Sequence, residues 1–255
     1  MPSSRFDLAG RTALVTGGAA GIGLALTRRL ARAGARRVVV VGRDRARLEA
    51  VAAELPGVVT THRADLADPA DVDALLAAVA RDPGDLSLLV NNAGTQRLTD
   101  FTAEDPWSLL PAVRAEIAAN LAGVVALSVG LLPVLAARPS AAVVNVSSGL
   151  ALAPKRSAPV YCATKAAVRS FTRALRYQCE DRLPHVRVVE ALPPLVDTAM
   201  TRGRGRGTIS PDACAAEILA GLAAGRAEVY VGKAKLLRAV GRLSPALAHR
   251  LMRNA

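Results

Sequence analysis

Short runs of aliphatic and β-branched residues alternate along the chain with longer stretches rich in Ala, Leu and Arg. Several of the short runs are apolar throughout, which is typical of strands covered on both faces of a parallel sheet. The runs predict strands at Thr12–Val15, Arg37–Val41, Val58–His62, Leu86–Val90, Ala142–Val146, Val186–Ala191 and Glu228–Val231. The stretches between them predict helices at Ile22–Ala33, Arg45–Leu55, Pro69–Ala80, Leu110–Ala137, Val160–Glu180 and Pro211–Ala224.

This alternation predicts an α/β fold: a three-layer, Rossmann-like, doubly wound arrangement in which helices flank a seven-stranded parallel sheet. No Gly-, Ser- or Pro-rich linker divides the 255 residues, so we expect residues 1–255 to form a single domain. In such sheets ligands bind beyond the carboxyl ends of the strands. The candidate functional residues are therefore sought there.

One segment has the length and composition of a membrane span. Residues Ile117–Ala137 include no charged side chain, and ~20 apolar residues suffice to cross a bilayer. The segment also contains Asn120, Ser128 and Pro133 and lies between two predicted α/β units. We therefore interpret it as a buried helix, kinked or broken at Pro133.

The formal net charge is +12, and Lys accounts for only four of the 33 basic residues. Such Arg and Ala enrichment can reflect a GC-rich genome, or it can attract anionic partners. The three cysteines are too few and too scattered for a disulfide framework or a zinc site. The residues before the first strand carry no hydrophobic signal region. We expect a cytoplasmic protein without a metal.

A glycine-rich turn, Gly17-Gly18-Ala19-Ala20-Gly21-Ile22-Gly23, follows the first predicted strand and opens the first helix. Glycines allow the backbone to approach a pyrophosphate, and a helix N-terminus offers unpaired N–H groups and positive partial charge. The position of the turn predicts a dinucleotide site.

The end of the second strand, Val41-Gly42-Arg43, bears on cofactor preference. A ribose 2′-hydroxyl usually binds a carboxylate at this position, whereas a 2′-phosphate needs space and a cation. Gly42 leaves space and Arg43 supplies a guanidinium suited to phosphate. Asp44 is the adjacent carboxylate and alternatively caps the next helix. The pattern favours NADP(H) over NAD(H).

Tyr161 and Lys165 are four residues apart in a predicted helix, so their side chains share one face. An ammonium beside a phenol can lower the phenol pKa from its usual value of about 10, which favours proton transfer near neutral pH. Ser148 lies upstream and adds a hydroxyl that can bind a carbonyl oxygen. Together with the nucleotide-binding turn, these residues indicate a site that reduces carbonyl groups.

These motifs, in this order, resemble those of the short-chain dehydrogenase/reductase family over Leu8 to about Gly232. The resemblance implies a catalytic tetrad, which here comprises Asn120, Ser148, Tyr161 and Lys165. It also implies cofactor contacts from the turn, the ends of the third and fourth strands, and the segment after the sixth strand. On this basis the candidate cofactor-binding residues are Thr16, Gly17, Gly21, Ile22, Gly23, Arg43, Asp65, Leu66, Asn92, Ala93, Gly94, Tyr161, Lys165, Pro193, Val196 and Thr198.

The chain departs from the family pattern after the sixth strand, where Pro193-Pro194 stands in place of Pro-Gly. Pro194 lacks an N–H and has a fixed φ, so the local path can differ. The double proline, the stretch around Ser148 and the residues after Val231 resemble the DltE-type oxidoreductases, a subgroup of the family.

The resemblance implies NADPH-dependent reduction of a ketone or aldehyde to an alcohol, with Tyr161 as general acid/base. Asn120 would hold a water that links Lys165 to solvent, or would instead satisfy backbone groups at a helix bend. Small-molecule carbonyl or alcohol substrates and a homodimer or homotetramer are also implied. The alternative function is a non-catalytic nucleotide sensor, or a scaffold associated peripherally with a membrane, on the same fold.

Two segments, a loop and the C-terminal extension, contain no recognisable motif. Residues 199–212 occupy the position of the family's mobile substrate loop, and their Arg and Gly residues suggest an anionic substrate. No aromatic residue interleaves that short tract, so we expect no nucleic-acid binding. Residues 233–255 form a basic C-terminal extension with leucines at helical spacing, and we expect two short helices meeting at Pro245. This extension could cover the cleft, pack on a second subunit or lie weakly on an anionic membrane.

Overall fold

The computed structural model describes residues 5–203 and 207–254. Its seven strands form one parallel sheet in the order β3-β2-β1-β4-β5-β6-β7. The strands are β1 (Thr12–Thr16), β2 (Arg37–Gly42), β3 (Val59–Arg63), β4 (Leu86–Asn91), β5 (Ala141–Val146), β6 (Val186–Leu192) and β7 (Glu228–Tyr230). The predicted fold class is confirmed, and all seven predicted strands are present with ends that differ by one residue at most.

Helices cover both faces of the sheet. They are α1 (Gly21–Arg32), α2 (Arg45–Glu54), α3 (Pro69–Arg81), α4 (Pro106–Ile117), α5 (Gly123–Gly130), α6 (Leu132–Ala136), α7 (Pro159–Arg182), α8 (Pro211–Ala223), α9 (Ala234–Leu243) and α10 (Pro245–Met252). Two buried apolar clusters, one on each face, separate the sheet from these helices. Strands β1, β4 and β5 are buried along their whole length, because both of their faces are covered.

The predicted helix Leu110–Ala137 begins four residues earlier than predicted and is broken near Pro133, as predicted. It begins at Pro106, where Asp105 accepts a hydrogen bond from the Ser108 N–H at 2.8 Å and caps the first turn. A π-helical turn at Ala118–Ala122 then interrupts it. The break near Pro133 lies at Leu131, because the residues ahead of a proline avoid continued helix.

The apolar segment within this region packs against protein. By length and composition alone Pro106–Gly130 would suffice to cross a membrane. In the structure α5 lies on β4 and against α3, while α4 contacts α7. Ser128 and Asn120 are fully buried in it and hydrogen-bonded to other segments. Only 39% of its most apolar stretch is buried, and Ile117 and Val129 are exposed, so the predicted buried helix is buried on one side only.

The C-terminal extension forms two helices, α9 and α10, which meet at Pro245 as predicted. Ser244 caps α10 by accepting a hydrogen bond from the Leu247 N–H at 3.2 Å. Gly241 faces Ala248 across the hairpin, where an added Cβ would lie 3.8 Å from the alanine methyl. The inner side of α9 reaches Gly149 through Leu237 and joins Tyr230 through Ala234. The extension therefore packs beside the carboxyl ends of β5 and β7.

Candidate active site

The glycine-rich turn connects β1 to α1 at the carboxyl edge of the sheet. Gly17 and Gly21 have φ values of +64° and +51°, a region that residues with a Cβ rarely enter. A Cβ on Gly23 would lie 2.1 Å from the Gly17 carbonyl oxygen, so only glycine fits there. Ala20, which precedes α1, has no side chain able to accept hydrogen bonds from the first helical turn. The first N–H groups of α1 thus lie at the cleft and fit a pyrophosphate.

Thr16 lies under the cleft, not on its wall. It is 1% exposed, and its Oγ1 accepts hydrogen bonds from the N–H groups of Asn92 and Ala93, both at 3.0 Å. The Asn92 amide in turn donates to the Thr16 carbonyl at 3.0 Å. Thr16 therefore ties the end of β4 to the end of β1 and does not line the cleft; its contact with the cofactor stays a prediction. Gly23 is likewise buried beneath the turn.

Two arginines flank the cleft at the carboxyl end of β2. Arg43 lies 3.9 Å from the Asp65 carboxylate and is largely exposed. Asp44 caps α2 by accepting from the Arg47 N–H at 3.1 Å, and its other oxygen pairs with the Arg47 side chain at 3.1 Å. Arg47 lines the cleft with Arg43, although the sequence argument missed it. Arg47 lies four residues after Arg43, in the first helical turn after a capping Asp, and this spacing could have indicated that both arginines face the cleft.

Tyr161 and Lys165 project from the first two turns of α7. Lys165 is 3% exposed; its Nζ donates to the Val146 carbonyl at 2.9 Å and lies 5.6 Å from the centroid of the Tyr161 ring. Ser148 follows β5, and its Oγ accepts from the Leu150 N–H at 3.1 Å. Tyr161, Lys165 and Ser148 all line the same cleft. Strand β5 and helix α7 therefore bring three of the four predicted catalytic residues together.

Burial sets the pKa values of the tyrosine and lysine. Removal from water raises the pKa of Tyr161 to about 12, and a hydrogen bond with Ser148 acts in the opposite direction. The residue as a whole is only half-buried, so the effect belongs to its enclosed hydroxyl end. Burial lowers the pKa of Lys165 to about 8, opposed by the charge of Glu116. The expectation that Lys165 lowers the Tyr161 pKa is not met here: desolvation of the phenol is the largest influence, and the opposing influence comes from Ser148.

Asn120 lies in the π-helical turn between α4 and α5, fully buried and behind the cleft wall. Its Oδ1 accepts from the Thr95 N–H and its Nδ2 donates to the Thr95 carbonyl, both at 2.8 Å. A third bond joins Nδ2 to the Thr164 hydroxyl at 3.3 Å. Asn120 thus satisfies backbone groups of a neighbouring segment. A Cβ on Gly94 would lie 3.2 Å from the Asn120 oxygen and 3.4 Å from Lys165 Nζ, which places these groups close together.

Glu116 was not anticipated. It lies one turn before Asn120, is 4% exposed, and its Oε1 has no hydrogen-bond partner among the described residues. Its pKa is raised by burial, and the charge of Lys165 opposes that shift. Its position four residues ahead of Asn120 was the only sequence signal. Glu116 and Lys165 are therefore close enough to influence each other's ionisation.

The segment after β6 closes the other end of the cleft. The Pro193 carbonyl accepts from the Gly149 N–H at 2.9 Å, and a Cβ on Gly21 would meet the Thr198 methyl at 3.1 Å. Pro193, Pro194, Val196 and Thr198 all line the cleft. The predicted loop 199–212 lies partly outside the described residues. Ile209, within this loop, accepts a hydrogen bond at its carbonyl from the N–H of Asp197, two residues before the loop, at 2.9 Å. Helix α8 already begins at Pro211.

A continuous cleft of about 560 Å³ connects these parts. All predicted cofactor-binding residues other than Thr16 and Gly23 line it. Lining residues that the sequence argument did not propose include Ala19, Ala20, Arg47, Ala64, Thr95, Gln96, Ala119, Ser147, Met200 and Thr201. Most of them are small residues next to predicted positions. Whether such a residue faces the cleft depends on the path of the backbone in the folded protein.

Cys162 and the other cysteines have no part in the cleft. All three are free and buried; Cys162 Sγ accepts from the Lys155 N–H at 3.4 Å, and burial raises the pKa of its thiol. Cys162 therefore fills space beside Tyr161, as predicted. Across residues 5–203 and 207–254, no three His, Cys, Asp or Glu side chains are grouped to hold a metal ion.

The short chain dehydrogenase family model matches residues 11–208. That span contains the glycine-rich turn and all four tetrad residues. The chain belongs to the short-chain dehydrogenase family. It is an NAD(P)-dependent oxidoreductase, and it falls with the DltE-like members.

Similar proteins cover most of the chain. An uncharacterized oxidoreductase, DltE, of Bacillus subtilis (strain 168) is 41% identical over 191 residues, 75% of this chain and 73% of that protein. A short-chain dehydrogenase from Burkholderia cenocepacia J2315, solved with NADP, has a TM-score of 0.85 at 29% identity and covers 98% of this chain and 100% of its own. One from Sphingobium yanoikuyae, solved with NADPH, has a TM-score of 0.80 at 25% identity over 94% of this chain and 93% of its own.

Proposed function

We propose that this oxidoreductase uses NADPH to reduce a ketone or aldehyde to an alcohol, with Tyr161 as the general acid. The observation that carries the proposal is the convergence of the Tyr161 phenol, the Ser148 hydroxyl and the Lys165 ammonium on one wall of the cleft. In the bound state NADPH supplies a hydride to the carbonyl carbon. The protein then has to orient the carbonyl and deliver a proton.

Ser148 donates a hydrogen bond to the carbonyl oxygen, and Tyr161 transfers its proton to that oxygen as negative charge develops. A phenol with a pKa of about 12 is fully protonated at neutral pH, so the acid is present in its reactive form. An alkoxide is more basic than a phenolate, so the proton moves downhill. Lys165, held by the Val146 carbonyl, stabilises the phenolate that remains and is placed to bind the ribose hydroxyls.

The cleft fits a 2′-phosphorylated dinucleotide. Gly42 leaves the end of β2 without a side chain, and Arg43 and Arg47 both line the cleft there. Asp44, the carboxylate next to Arg43 in the chain, caps α2 and pairs with Arg47, so a ribose 2′-hydroxyl would have to compete with these contacts. Asp65 remains for the adenine side, in reach of Arg43. The solved relatives with NADP and NADPH support this preference.

Replacing Arg43 with alanine is expected to weaken NADPH binding at least about tenfold, about 1.4 kcal/mol, and to leave NADH binding unchanged. The guanidinium contributes only where a 2′-phosphate is present. Equilibrium titration followed by nicotinamide fluorescence measures both constants. Arg45→Ala is the matched control, because Arg45 is exposed two residues away and does not line the cleft. A wild-type preference for NADH, or equal loss for both cofactors, would contradict the assignment.

A nucleotide sensor without turnover is the weaker alternative. A sensor needs the cofactor end of the cleft and a lysine for the ribose, but it has no use for the Tyr161 phenol beside the Ser148 hydroxyl in the same cleft. Consumption of NADPH in the presence of a panel of aldehydes and ketones distinguishes the two functions.

The C-terminal helices support a second, compatible proposal, which is peripheral binding to an anionic membrane. Four leucines on α9 and α10 are exposed by 47% to 89%: Leu236, Leu243, Leu247 and Leu251. Residues 233–254 contain six Lys or Arg and no acidic residue. A basic, leucine-bearing helical hairpin is suited to the interface of an anionic bilayer. We propose that the protein lies in the cytoplasm, and the vesicle experiment below decides whether it also binds a membrane surface.

Co-sedimentation with phosphatidylglycerol vesicles is expected to fall at least about tenfold in the double variant Leu236→Ser/Leu243→Ser, because each leucine contributes apolar burial. Leu98→Ser, which changes an exposed residue between β4 and α4, is the control and should bind like wild type. Binding is also expected to decline with added salt. Equal sedimentation of the double variant and wild type would reject the membrane proposal.

We further propose a homodimer or homotetramer. Exposed apolar residues along the α4–α5 region, namely Leu110, Ile117 and Val129, supply one surface for it. Light scattering coupled to size exclusion gives the mass directly. If the Leu236→Ser/Leu243→Ser variant changes that mass, the leucines of the C-terminal helices face a second subunit.

A further inference from the structure

A buried glutamate lies directly behind the serine segment of the cleft. Glu190, on β6, is 1% exposed, and its Oε1 accepts a hydrogen bond from the Ser147 hydroxyl at 2.6 Å. Ser147 lines the cleft and precedes Ser148. Its backbone N–H is also bonded to the Ala191 carbonyl at 2.8 Å. The residue ahead of Ser148 is therefore held to β6 by both its backbone and its side chain.

The second carboxylate oxygen of Glu190 binds Arg169. The Arg169 Nη1 lies 2.6 Å from Glu190 Oε2. Arg169 follows Lys165 by one turn of α7 and is itself mostly buried. Its other terminal nitrogen lies 3.2 Å from the Tyr230 hydroxyl and 3.3 Å from Glu228. Arg169 therefore joins α7 to β6 and β7 at their carboxyl ends.

Further charged side chains contact the Glu190–Arg169 pair on the side away from Ser147. Glu228 accepts from Arg173 at 2.8 Å and from the Tyr230 hydroxyl at 2.8 Å. Arg238, from α9, stacks on the Tyr230 ring at 4.3 Å. Burial raises the pKa of Glu190, while Ser147 and Arg169 act to lower it. Both carboxylate oxygens of Glu190 thus have partners, and a buried charge is compensated only while both persist.

We propose that Glu190 is a positioning residue: through Ser147 it fixes the Ser148 hydroxyl against Tyr161, and Arg169 fixes Glu190. The proposal extends the proposed function, since it assigns a role to Ser148 as the group that binds the carbonyl. Two rigid anchors, β6 and α7, thereby determine where the chain turns after β5. An unanchored turn would leave Ser148 free to shift, and misplacement of ~1 Å can cost up to 10²-fold in rate.

Glu190→Gln tests the carboxylate with little change of shape. Gln keeps one acceptor oxygen but presents an NH₂ group to the other partner. If the oxygen stays with Ser147, the NH₂ faces the Arg169 guanidinium, which only donates. One of the two contacts is therefore lost. Ser147→Ala removes the same link by deleting one hydroxyl, and it guards against a folding failure of the first variant.

The chain has three tyrosines, at 161, 177 and 230, so labelling with ¹³C at the ζ carbon gives three NMR signals in the full-length protein. Ser148→Ala defines how the Tyr161 signal responds when its hydrogen bond with Ser148 is removed. Glu190→Gln and Ser147→Ala are expected to move the Tyr161 signal in the same direction. Tyr177, exposed on α7 and outside the network, should not move, and circular dichroism reports the fold of each variant. Glu49→Gln, an exposed change on α2, is the matched control.

An unmoved Tyr161 signal in both variants, with only Tyr230 shifted, would overturn the proposal, because the network would then end before the active site. Kinetics give a second readout. With any carbonyl that wild type reduces, kcat in Glu190→Gln is expected to fall about tenfold or more, with the Kd for NADPH unchanged. Failure of wild type to reduce any carbonyl would reject the proposed function, while the NMR result would still decide the positioning role.

Discussion

Replacement of Tyr161 with phenylalanine is expected to lower kcat for carbonyl reduction about 10³-fold, equivalent to about 4 kcal/mol in the barrier. The substitution removes the only atom at this position able to give a proton to the developing alkoxide. The ring stays, so packing on α7 and the stacking partner of Lys165 are retained. NADPH binding is expected to change by less than about threefold, because the lysine that faces the ribose is intact.

Steady-state rates with a reducible aldehyde or ketone, together with NADPH titration by fluorescence, measure the two quantities separately. Tyr177→Phe is the matched control, since Tyr177 lies on the same helix and is 57% exposed. It should retain the wild-type rate. A Tyr161→Phe protein that turns over at more than a tenth of the wild-type rate would show that another group supplies the proton.

Replacement of Gly23 with alanine is expected to weaken NADPH binding at least about 100-fold, about 2.7 kcal/mol. The added methyl would lie 2.1 Å from the Gly17 carbonyl oxygen and 2.6 Å from the Asn92 amide nitrogen. Both atoms belong to the floor of the cofactor cleft, so the turn between β1 and α1 has to move. Overpacking of this kind typically costs 1–3 kcal/mol, and here the displaced atoms are those that face the pyrophosphate.

Gly241→Ala is the matched control, because Gly241 is also a helical glycine and its added Cβ would be 3.8 Å from Ala248. It should bind NADPH as wild type does and gain slightly in stability, since alanine favours helix over glycine. Circular dichroism establishes whether Gly23→Ala is folded before binding is titrated. A folded Gly23→Ala protein with wild-type affinity would disprove the close fit of the turn.

Much of the site was predictable because its residues act through short-range spacing. Once the flanking strand and helix are known, the position of a glycine turn between them is known as well. A Tyr and a Lys four residues apart lie on one face of any helix that contains them. The predicted strands agreed with the structure for a similar reason: apolar runs must be buried, and a parallel sheet buries both faces. The tetrad residues Ser148, Tyr161 and Lys165 then meet because β5 ends and α7 begins at the same edge of the sheet.

Other features depended on neighbours distant in sequence. Thr16 belongs to the matched motif, yet it binds the backbone at Asn92 and not the cleft. The Tyr161 pKa rises because surrounding protein desolvates the phenol. The four-residue spacing between Tyr161 and Lys165 gives no information about that desolvation. Arg47 and Glu116 were identified as residues of the site only from their surroundings in the structure.

The sequence alone thus determined the order of strands and helices, the dinucleotide turn and the residue types of the reaction, because each follows from local periodicity and backbone sterics. Only the tertiary structure decided which side chains reach the cleft and how burial changes their ionisation. It also decided that Glu190 meets Ser147 across 43 residues of chain. Desolvation and long-range hydrogen bonds depend on how the helices and strands pack together, and this packing cannot be read from local sequence patterns.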